Sequence, residues 1–472
     1  MSLRPLASPL SLALALALVP TAGANAADLM DAYQLARAGD PQFAAAESSR
    51  LVTREGAAQA RAAMLPQIGG SASIARSESD SDGTQVFGGT PLPASDSSNE
   101  STTREYGINL QQMVFDRSVF TQLKSRKALS RASDFQLEAA GDNLITRTSA
   151  AYFNVLIQLE TLAAAEAAEA ALQKQFDFAS KRLEVGLAPI TDVHEARAQY
   201  DSARANTILS RTQVADAYQA LTEITGQPLG SVQGLPADFQ PQLPVSEGAD
   251  TWVQTAFDNN PALQAKQFQV ESAEADVQTA QAGHWPTLYL GGRYGDSNTE
   301  GNSTNNLNNQ ITDFENNSQS RSLSLTLDVP IFSGGRTQSQ VRQALAQRDI
   351  AIDELEQQKR ALERNARNAY QTLVAGISEV EARRLALVSA QAAYDASQVG
   401  LEVGTRTVLD VLNNQNNLFT AQQAYALARY NYLQNRLLLE QAAGTLAIED
   451  VQDINRLLTV NADAQVESTI QR

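Results

Sequence analysis

The sequence predicts an α+β protein made of two similar halves, each with two amphipathic strands followed by very long helices. Two sets of observations carry this prediction: sequence landmarks that recur at a fixed offset, and a change from helical to period-two patterning at the same point of each half. Residues 185–193 (VGLAPITDV) recur as 403–411 (VGTRTVLDV) about 218 residues later, and Gly226 recurs as Gly444. Such an offset indicates duplication of a unit far longer than the roughly 20–50 residues of solenoid and propeller repeats.

The prolines of each half delimit its early helices. Pro41 and Pro261 follow Asp or Asn, the arrangement of an N-cap with proline at the first helical position. Pro66 and Pro286 end the next helix, because proline lacks the backbone donor and its predecessor avoids the α region. The second helix of the first half is therefore expected at 41–64.

Period-two alternation follows Pro66 and Pro286 and predicts four strands of about 10 residues, the length of membrane strands. Alternation alone fits a soluble antiparallel sheet with one wet face equally well. The tracts 77–103 and 296–320 are rich in Ser, Asn, Asp and Gly. We interpret them as long polar loops on the extracellular side, which favours membrane strands.

Long helices are predicted after each strand pair, at 117–181 and 335–398, where proline is absent and glycine occurs once or twice. Roughly 65 helical residues would extend about 95 Å. In the helix after each repeated motif, eight of ten positions at strict 3,4 spacing are apolar, from Val193 and from Val411 onward. This stripe indicates coiled-coil-like packing. Four strands cannot close a barrel and open edges cannot lie in hydrocarbon, so the strands must be pooled among subunits.

The first residues are expected to be an export signal. Arg4 precedes an apolar run at 10–19, and Ala24-Asn25-Ala26 ends it as a cleavage site. No later segment is apolar enough for a transmembrane helix. The predicted organisation is a signal peptide at 1–26, repeat 1 at 27–235, a linker at 236–249, repeat 2 at 250–446 and a C-terminal periplasmic tail at 447–472.

Composition excludes several function classes. A net charge of −17 argues against nucleic acid as a partner, and the absence of cysteine excludes a disulfide framework. Two histidines leave little material for metal or cofactor chemistry, and His194-Glu195 lacks the spacing of a zinc motif. No arrangement of residues argues for catalysis. We therefore expect no cofactor, no metal and no enzymatic activity.

Several segments together resemble the TolC family of outer-membrane channel-tunnels, over about residues 28–446. They are 29–34 (LMDAYQ), 151–156 (AYFNVL), 186–201, 403–412 and 428–433 (ARYNYL). The resemblance implies a trimeric outer-membrane β-barrel, with four strands per subunit, continued by a long periplasmic α-helical coiled-coil tunnel. It also implies a passive conduit for type I protein secretion, small-molecule efflux, or both. The implied partners are two further copies of the chain, a periplasmic adaptor protein, an inner-membrane ABC, RND or MFS transporter, and outer-membrane lipid.

The resemblance further implies a gate at the periplasmic end. Asp410 would form a ring of three carboxylates at the constriction, Arg406 would hydrogen-bond Thr191 of the facing helix pair, and Asp192 would belong to the same lock. Taken by themselves, Asp410 and Asp192 also fit carboxylates that favour the dipole at a helix start.

The chain departs from the family's pattern at two gate positions. Asn413 stands where the family has a second ring aspartate, and Leu401 stands where a tyrosine partners the Asp192 position. We therefore expect a gate in a similar place with weaker cation affinity. Two other functions remain open: a non-transporting periplasmic or surface coiled-coil protein, which would leave the strands unexplained, and a simple diffusion porin, which would leave the helices unexplained.

Overall fold

The structure is a computed structural model that describes most of the chain. The described residues are 26–83, 86–87, 89–91, 95–187, 189–236, 239–242, 248–306 and 308–464. The expected signal peptide lies outside the described residues except for Ala26, as do 243–247 of the expected linker and 465–472 of the expected tail.

The same order of elements occurs twice along the chain, as the repeated landmarks predict. The helices are α1 (Leu29–Gly39), α2 (Pro41–Ala62), α3 (Arg117–Glu184), α4 (Ile190–Thr225), α5 (Ala249–Asn259), α6 (Pro261–Ala282), α7 (Arg336–Glu402), α8 (Val408–Ala443) and α9 (Ile448–Asn455). The strands are β1 (Gln67–Gly83), β2 (Val86–Phe87), β3 (Thr90–Pro91), β4 (Ser95–Phe115), β5 (Gln233–Gly234), β6 (Thr287–Asn305), β7 (Gln310–Asp328) and β8 (Val460–Asn461). None of the described helices is long and apolar enough to cross a membrane.

The expected lengths of the strands and loops were wrong. The four long strands contain 17 to 21 residues, and they incorporate most of the polar tracts that the sequence suggested were loops. Backbone hydrogen bonds build a ladder whatever the side chains are, so a strand does not end where apolar alternation ends. Facing hydroxyls add contacts across the polar part: Ser77 and Ser101 lie 2.9 Å apart, and Thr103 and Thr299 lie 3.1 Å apart between their oxygens.

One compact unit of the fold consists of residues 46–139 and 261–361 and includes the four long strands, which form one sheet. The sheet is antiparallel in the order β1-β4-β6-β7. Its register places Ile68, Leu110, Gly292 and Leu323 in one row across all four strands. Leu323 is 77% exposed in the single chain. The alternation predicted from the sequence thus produces one apolar face, on which the outer-strand residues Ile68 and Leu323 are exposed in the single chain.

The other compact unit is helical and holds the main core. Tyr152, Phe153, Leu156, Tyr430 and Leu433 are all fully or almost fully buried in it. The first three lie on α3, the long helix of the first half, and the last two lie on α8, the helix that follows the second repeated motif. The ten stripe positions in each of α4 and α8 are all buried or half-buried, which confirms the packing predicted from their spacing.

Polar side chains in this core hold the segment between the repeats. Arg429 donates to Glu160 at 2.7 Å and to the Pro236 carbonyl at 3.3 Å, and the Tyr430 hydroxyl donates to the same carboxylate at 2.8 Å. Burial raises the pKa of Tyr430, so its hydroxyl stays a donor at physiological pH. The buried charge of Arg429 is thereby paired, as an interior charge must be.

The beginning, middle and end of the chain meet beside this cluster. Ala27 donates to Ser231 and forms a parallel bridge with Val232. The Val232 carbonyl accepts from the amide of Ala462, next to the antiparallel pair of β5 and β8. Tyr152 adds a hydrogen bond of 3.0 Å from its hydroxyl to the Ala27 carbonyl. A small three-part sheet therefore joins the N-terminus of the described chain, the inter-repeat segment and the C-terminal segment.

Paired landmarks of each repeat come into contact. A Cβ added at Gly39 would lie 2.6 Å from the Thr225 carbonyl oxygen, and one added at Gly444 would lie 2.6 Å from the Asn260 backbone. Gly226 and Gly444 end α4 and α8 with φ of 70° and 71°. Gly226 and Gly444 thus permit a left-handed helix end in both repeats, while Gly39 at the α1–α4 junction and Gly444 at the α5–α8 junction permit a close backbone approach.

Candidate functional site

The two repeated motifs form tight turns between paired helices. Gly186 and Gly404 have φ of 75° and 78°, which only glycine adopts readily. In the first turn Leu187 donates to Arg182 at 2.8 Å, and in the second Thr405 donates to Gly400 at 2.8 Å. These are the hydrogen bonds that close a helix through a left-handed residue. The turn geometry, which requires glycine at this position, is therefore sufficient to explain why the Val-Gly pair recurs.

Asp410 completes the cap at the start of α8. Its carboxylate accepts from the Thr407 amide and hydroxyl, each at 2.9 Å, while the Asp410 amide donates to the Thr407 hydroxyl at 3.2 Å. The hydrogen bond from the Thr407 backbone is the main cause that lowers the pKa of Asp410 below its usual value, and the Thr407 hydroxyl adds to it. Asp410 is thus a partly exposed carboxylate, held ionised by its own helix cap.

Arg406 lies between this cap and the end of α7. Its amide donates to the Gly400 carbonyl at 3.1 Å, and its Cγ would lie 2.6 Å from a Cβ at position 400. Its charge also contributes to the lowered pKa of Asp410. Gly400 therefore leaves the space through which the Arg406 stem passes.

The other predicted gate residues lie at the first turn. The Thr191 hydroxyl lies 3.5 Å from Asp192 Oδ1, and the Asp192 amide donates to the Pro189 carbonyl at 3.2 Å. Within the described residues of one chain, no hydrogen bond joins Arg406 to Thr191 or Asp192. The link between the two turns stays a prediction about facing helix pairs.

Leu401 and its neighbours form an apolar contact that the sequence did not reveal. We define the tip cluster as the buried residues Leu172, Ala203, Leu401, Val408, Val411 and Leu412, against which Tyr200 and Tyr394 also pack. The cluster joins α3, α4, α7 and α8. Leu401 thus packs among apolar side chains where the family's pattern has a tyrosine, whereas Asn413 is exposed. The 408, 411, 412 spacing was the available signal for this cluster.

The two turns differ in how much of them is covered. Val408 is 8% exposed, while its counterpart Ile190 in the first repeat is 53% exposed. Leu412 is buried, while its counterpart His194 is exposed. The start of α8 therefore packs onto the helices of its own chain, whereas Ile190 at the start of α4 is left uncovered. Duplicated sequences have acquired different environments at this end.

The described residues contain no group of three or more His, Asp or Glu side chains arranged to hold a metal ion. A cavity of about 400 Å³ adjoins the tip cluster between α3, α4 and α8. Polar side chains line part of it, among them Gln199, Asn206 and Asn416. The site thus consists of two capped turns, an ionised carboxylate beside an arginine, and an apolar contact between helix pairs.

Comparisons with known proteins place the chain in a family. The profile of the family described as outer membrane efflux protein matches residues 32–227 and 252–445, once in each half. The chain is 32% identical over 436 residues to outer membrane protein TolC of Vibrio cholerae, covering 92% of this chain and 94% of that protein. It is 28% identical to the alkaline protease secretion protein AprF of Pseudomonas aeruginosa, covering 91% of this chain and 87% of that protein.

Solved structures agree with the fold. The Campylobacter jejuni CmeC outer membrane channel superposes with a TM-score of 0.73 at 17% identity, covering 91% of this chain and 90% of that one. The expected fold class is confirmed by this likeness, and the expected family by the sequence matches. The chain therefore belongs to the outer membrane efflux protein family and is an outer-membrane channel for efflux and type I secretion.

Proposed function

We propose that three copies of this chain form one passive conduit through the outer membrane, which receives cargo from a tripartite export system. One observation carries the proposal. Among the described strands, β1 and β7 each pair with a single neighbour, so both edges of the four-stranded sheet are open. Open edges cannot lie in hydrocarbon, because their backbone groups would lack partners.

The apolar row across the sheet supports the same arrangement. Ile68, Leu110 and Leu323 face one side, whereas the neighbouring serines and asparagines face the other. Lipid on the apolar side and water on the polar side suit both faces. Three such sheets supply twelve strands, which is within the size range of membrane barrels.

Strand length supports the proposed orientation. About 10 residues of a tilted strand cross the hydrocarbon layer. The strands of 17 to 21 residues are longer than this, and the polar part that lies far from the helices would project beyond the membrane. We propose that Asn306, Asn308 and Asn309, together with the ends of β1 and β4 at Gly83 and Ser95, lie outside the cell.

The names of the relatives support the proposed cargo. One relative is named for alkaline protease secretion, and others are named as efflux proteins. We propose that a periplasmic adaptor and an inner-membrane ABC, RND or MFS transporter deliver the cargo, which is protein, small molecules or both. The relatives are channel proteins rather than enzymes, and we propose no catalytic role for this chain.

The two turns are the proposed gate. Three Asp410 carboxylates would surround the axis, and Arg406 would hold them closed through Thr191 and Asp192 of a facing helix pair. The ionised state of Asp410 and its neighbour Arg406 support this, because a ring of carboxylates selects cations. Leu401 and Asn413 would make the lock less polar than the family's pattern.

Cysteine cross-linking tests the assembly, since the chain has no cysteine of its own. Ser71→Cys on β1 is combined in turn with Ser320→Cys, Ser322→Cys and Ser324→Cys on β7, all on the polar face. Oxidation should yield covalent trimers at one register. Each single variant should give no covalent trimer. Asn109→Cys on the interior strand β4, combined with the same β7 cysteines, should give none either. A folded monomer by light scattering would contradict the proposal.

A further inference from the structure

The start of α8 carries one polar side chain on its buried face. Val408, Val411, Leu412 and Leu418 are buried at helical spacing, and Gln415 lies among them with 1% exposure. Gln415 is three and four positions after two members of the tip cluster, so it lies on the same face one turn further along. The amide therefore belongs to the contact that packs α8 onto its own chain.

Both amide atoms of Gln415 are buried without a hydrogen-bond partner among the described residues. A buried primary amide normally uses its donors and its acceptor, because leaving them unpaired forfeits the hydrogen bonds they make in water. Bulk solvent and a neighbouring subunit do not contact a side chain that its own chain covers to this degree. In this packing no protein group of the described chain pairs with the amide.

Gln422 and Gln434 on α8 each have a buried side-chain oxygen without a partner as well, but among the described residues Gln415 is the one glutamine with both amide atoms unpaired. Thr207 on α4 is 1% exposed, yet its hydroxyl lies within 3.3 Å of the Ala165 carbonyl and 3.2 Å of the Ala203 carbonyl. The counterpart of Gln415 in the first repeat is Arg197, which is exposed and pairs with Asp201. A buried amide with both of its atoms unpaired therefore distinguishes the second turn from the first.

We propose that Gln415 is a built-in destabiliser of the packed start of α8, which biases this helix toward release from the tip cluster. When α8 moves away, water or polar groups satisfy the amide, so the released conformation gains what the packed one lacks. This inference rests on the proposed function, since release opens a channel only if the turns close its end.

The test uses an apolar isostere and a charged one. Gln415→Met keeps the length of the side chain and removes the unmatched amide, so it should make openings in planar bilayers about tenfold rarer. Gln415→Glu places a carboxylate there, which is costlier to bury, and should make openings more frequent at neutral pH. Gln423→Met makes the same change at an exposed glutamine of α8 and should leave the opening frequency within about twofold of wild type.

Thermal unfolding of the purified protein gives a second readout. Gln415→Met should melt at a higher temperature than wild type, because an apolar group then fills the apolar contact. Equal opening frequencies for Gln415→Met and wild type, or a lower melting temperature, would overturn the inference and indicate that the amide is hydrogen-bonded in the assembled protein. Failure of the wild type to form channels would instead overturn the proposed function, and the melting comparison would still decide the role of Gln415.

Discussion

Replacing the helix-ending glycines by alanine separates two costs that the structure assigns to different positions. Gly444 has a positive φ of 71°, and a Cβ there would lie 2.6 Å from the Asn260 backbone. Gly404 has a positive φ of 78° with nothing within 4 Å of the added Cβ. Gly39 lacks the positive φ, yet its Cβ would lie 2.6 Å from the Thr225 carbonyl oxygen. Gly444 therefore carries both costs, Gly404 carries the backbone strain alone, and Gly39 carries the steric overlap alone.

The magnitudes follow from each environment. An L-residue in the left-handed region costs about 1–2 kcal/mol, and forcing a methyl group into a packed contact costs about 1–3 kcal/mol. Gly444→Ala should therefore lose about 2–5 kcal/mol of unfolding free energy, more than Gly404→Ala or Gly39→Ala. The smaller entropy of the unfolded alanine chain applies to all three variants and leaves their order unchanged.

Far-UV circular dichroism during heating of the detergent-purified variants measures the order. Gly226→Ala is a matched control for Gly444→Ala, because its φ is 70° and its nearest contact, with Gly39, is an ordinary 3.5 Å. It should melt close to Gly404→Ala and well above Gly444→Ala. If Gly226→Ala and Gly444→Ala melt together, the close approach of Gly444 to Asn260 does not exist in the folded protein.

Four further predictions concern the gate, the core and the topology. Asp410→Ala should lower cation selectivity and abolish block by trivalent cations in planar bilayers; unchanged selectivity would leave Asp410 only a helix cap. The Thr407 hydrogen bonds hold the pKa of Asp410 below its usual value of 3.8 in the folded state. The ionised carboxylate therefore stabilises the fold fully above that pH, and this stabilisation is lost as the pH falls further. Asp410→Asn should consequently reduce the loss of helicity on acidification. Glu160→Gln leaves the buried charge of Arg429 without its carboxylate and should cost about 3 kcal/mol in thermal unfolding, whereas a neutral result would place that charge in water. An epitope tag at Asn308 should bind antibody on intact cells, and binding only after permeabilisation would reverse the proposed orientation.

The repeated architecture was predictable because it depends on local rules. Turn glycines such as Gly186 and Gly404 and helix-starting prolines obey backbone constraints that any sequence must satisfy, so their recurrence located the elements. The helical stripe beginning at Val193 was equally readable, since burial at 3,4 spacing needs only one partner helix.

The ends of the strands were not predictable from alternation. Ser77 and Ser101 carry no apolar signal, yet their backbones continue the ladder and their hydroxyls meet across it. A search for strands by apolar period therefore stops where the apolar face stops. The difference is physical, because the ladder depends on backbone pairing and the period depends on what each face contacts.

The turns formed by the repeated motifs were predictable, whereas the surroundings of their side chains were not. The motif identified the turn that carries Asp410 and Arg406, but the burial of Leu401 and Gln415 depends on how one helix pair rests on another. Nothing in the spacing of Gln415 distinguishes it from Arg197 at the equivalent position of the first repeat. Only the three-dimensional arrangement separates them.

The small sheet of Ala27, Val232 and Ala462 has a consequence for the order of folding during biosynthesis. Its three parts are far apart in sequence, and the last is made only when nearly the whole chain exists. Contacts of such separation form late, because the intervening chain must first lose its freedom. A nascent chain truncated before residue 460 cannot close this junction. The compact helical unit is therefore closed last at this junction, after its C-terminal segment has been synthesised.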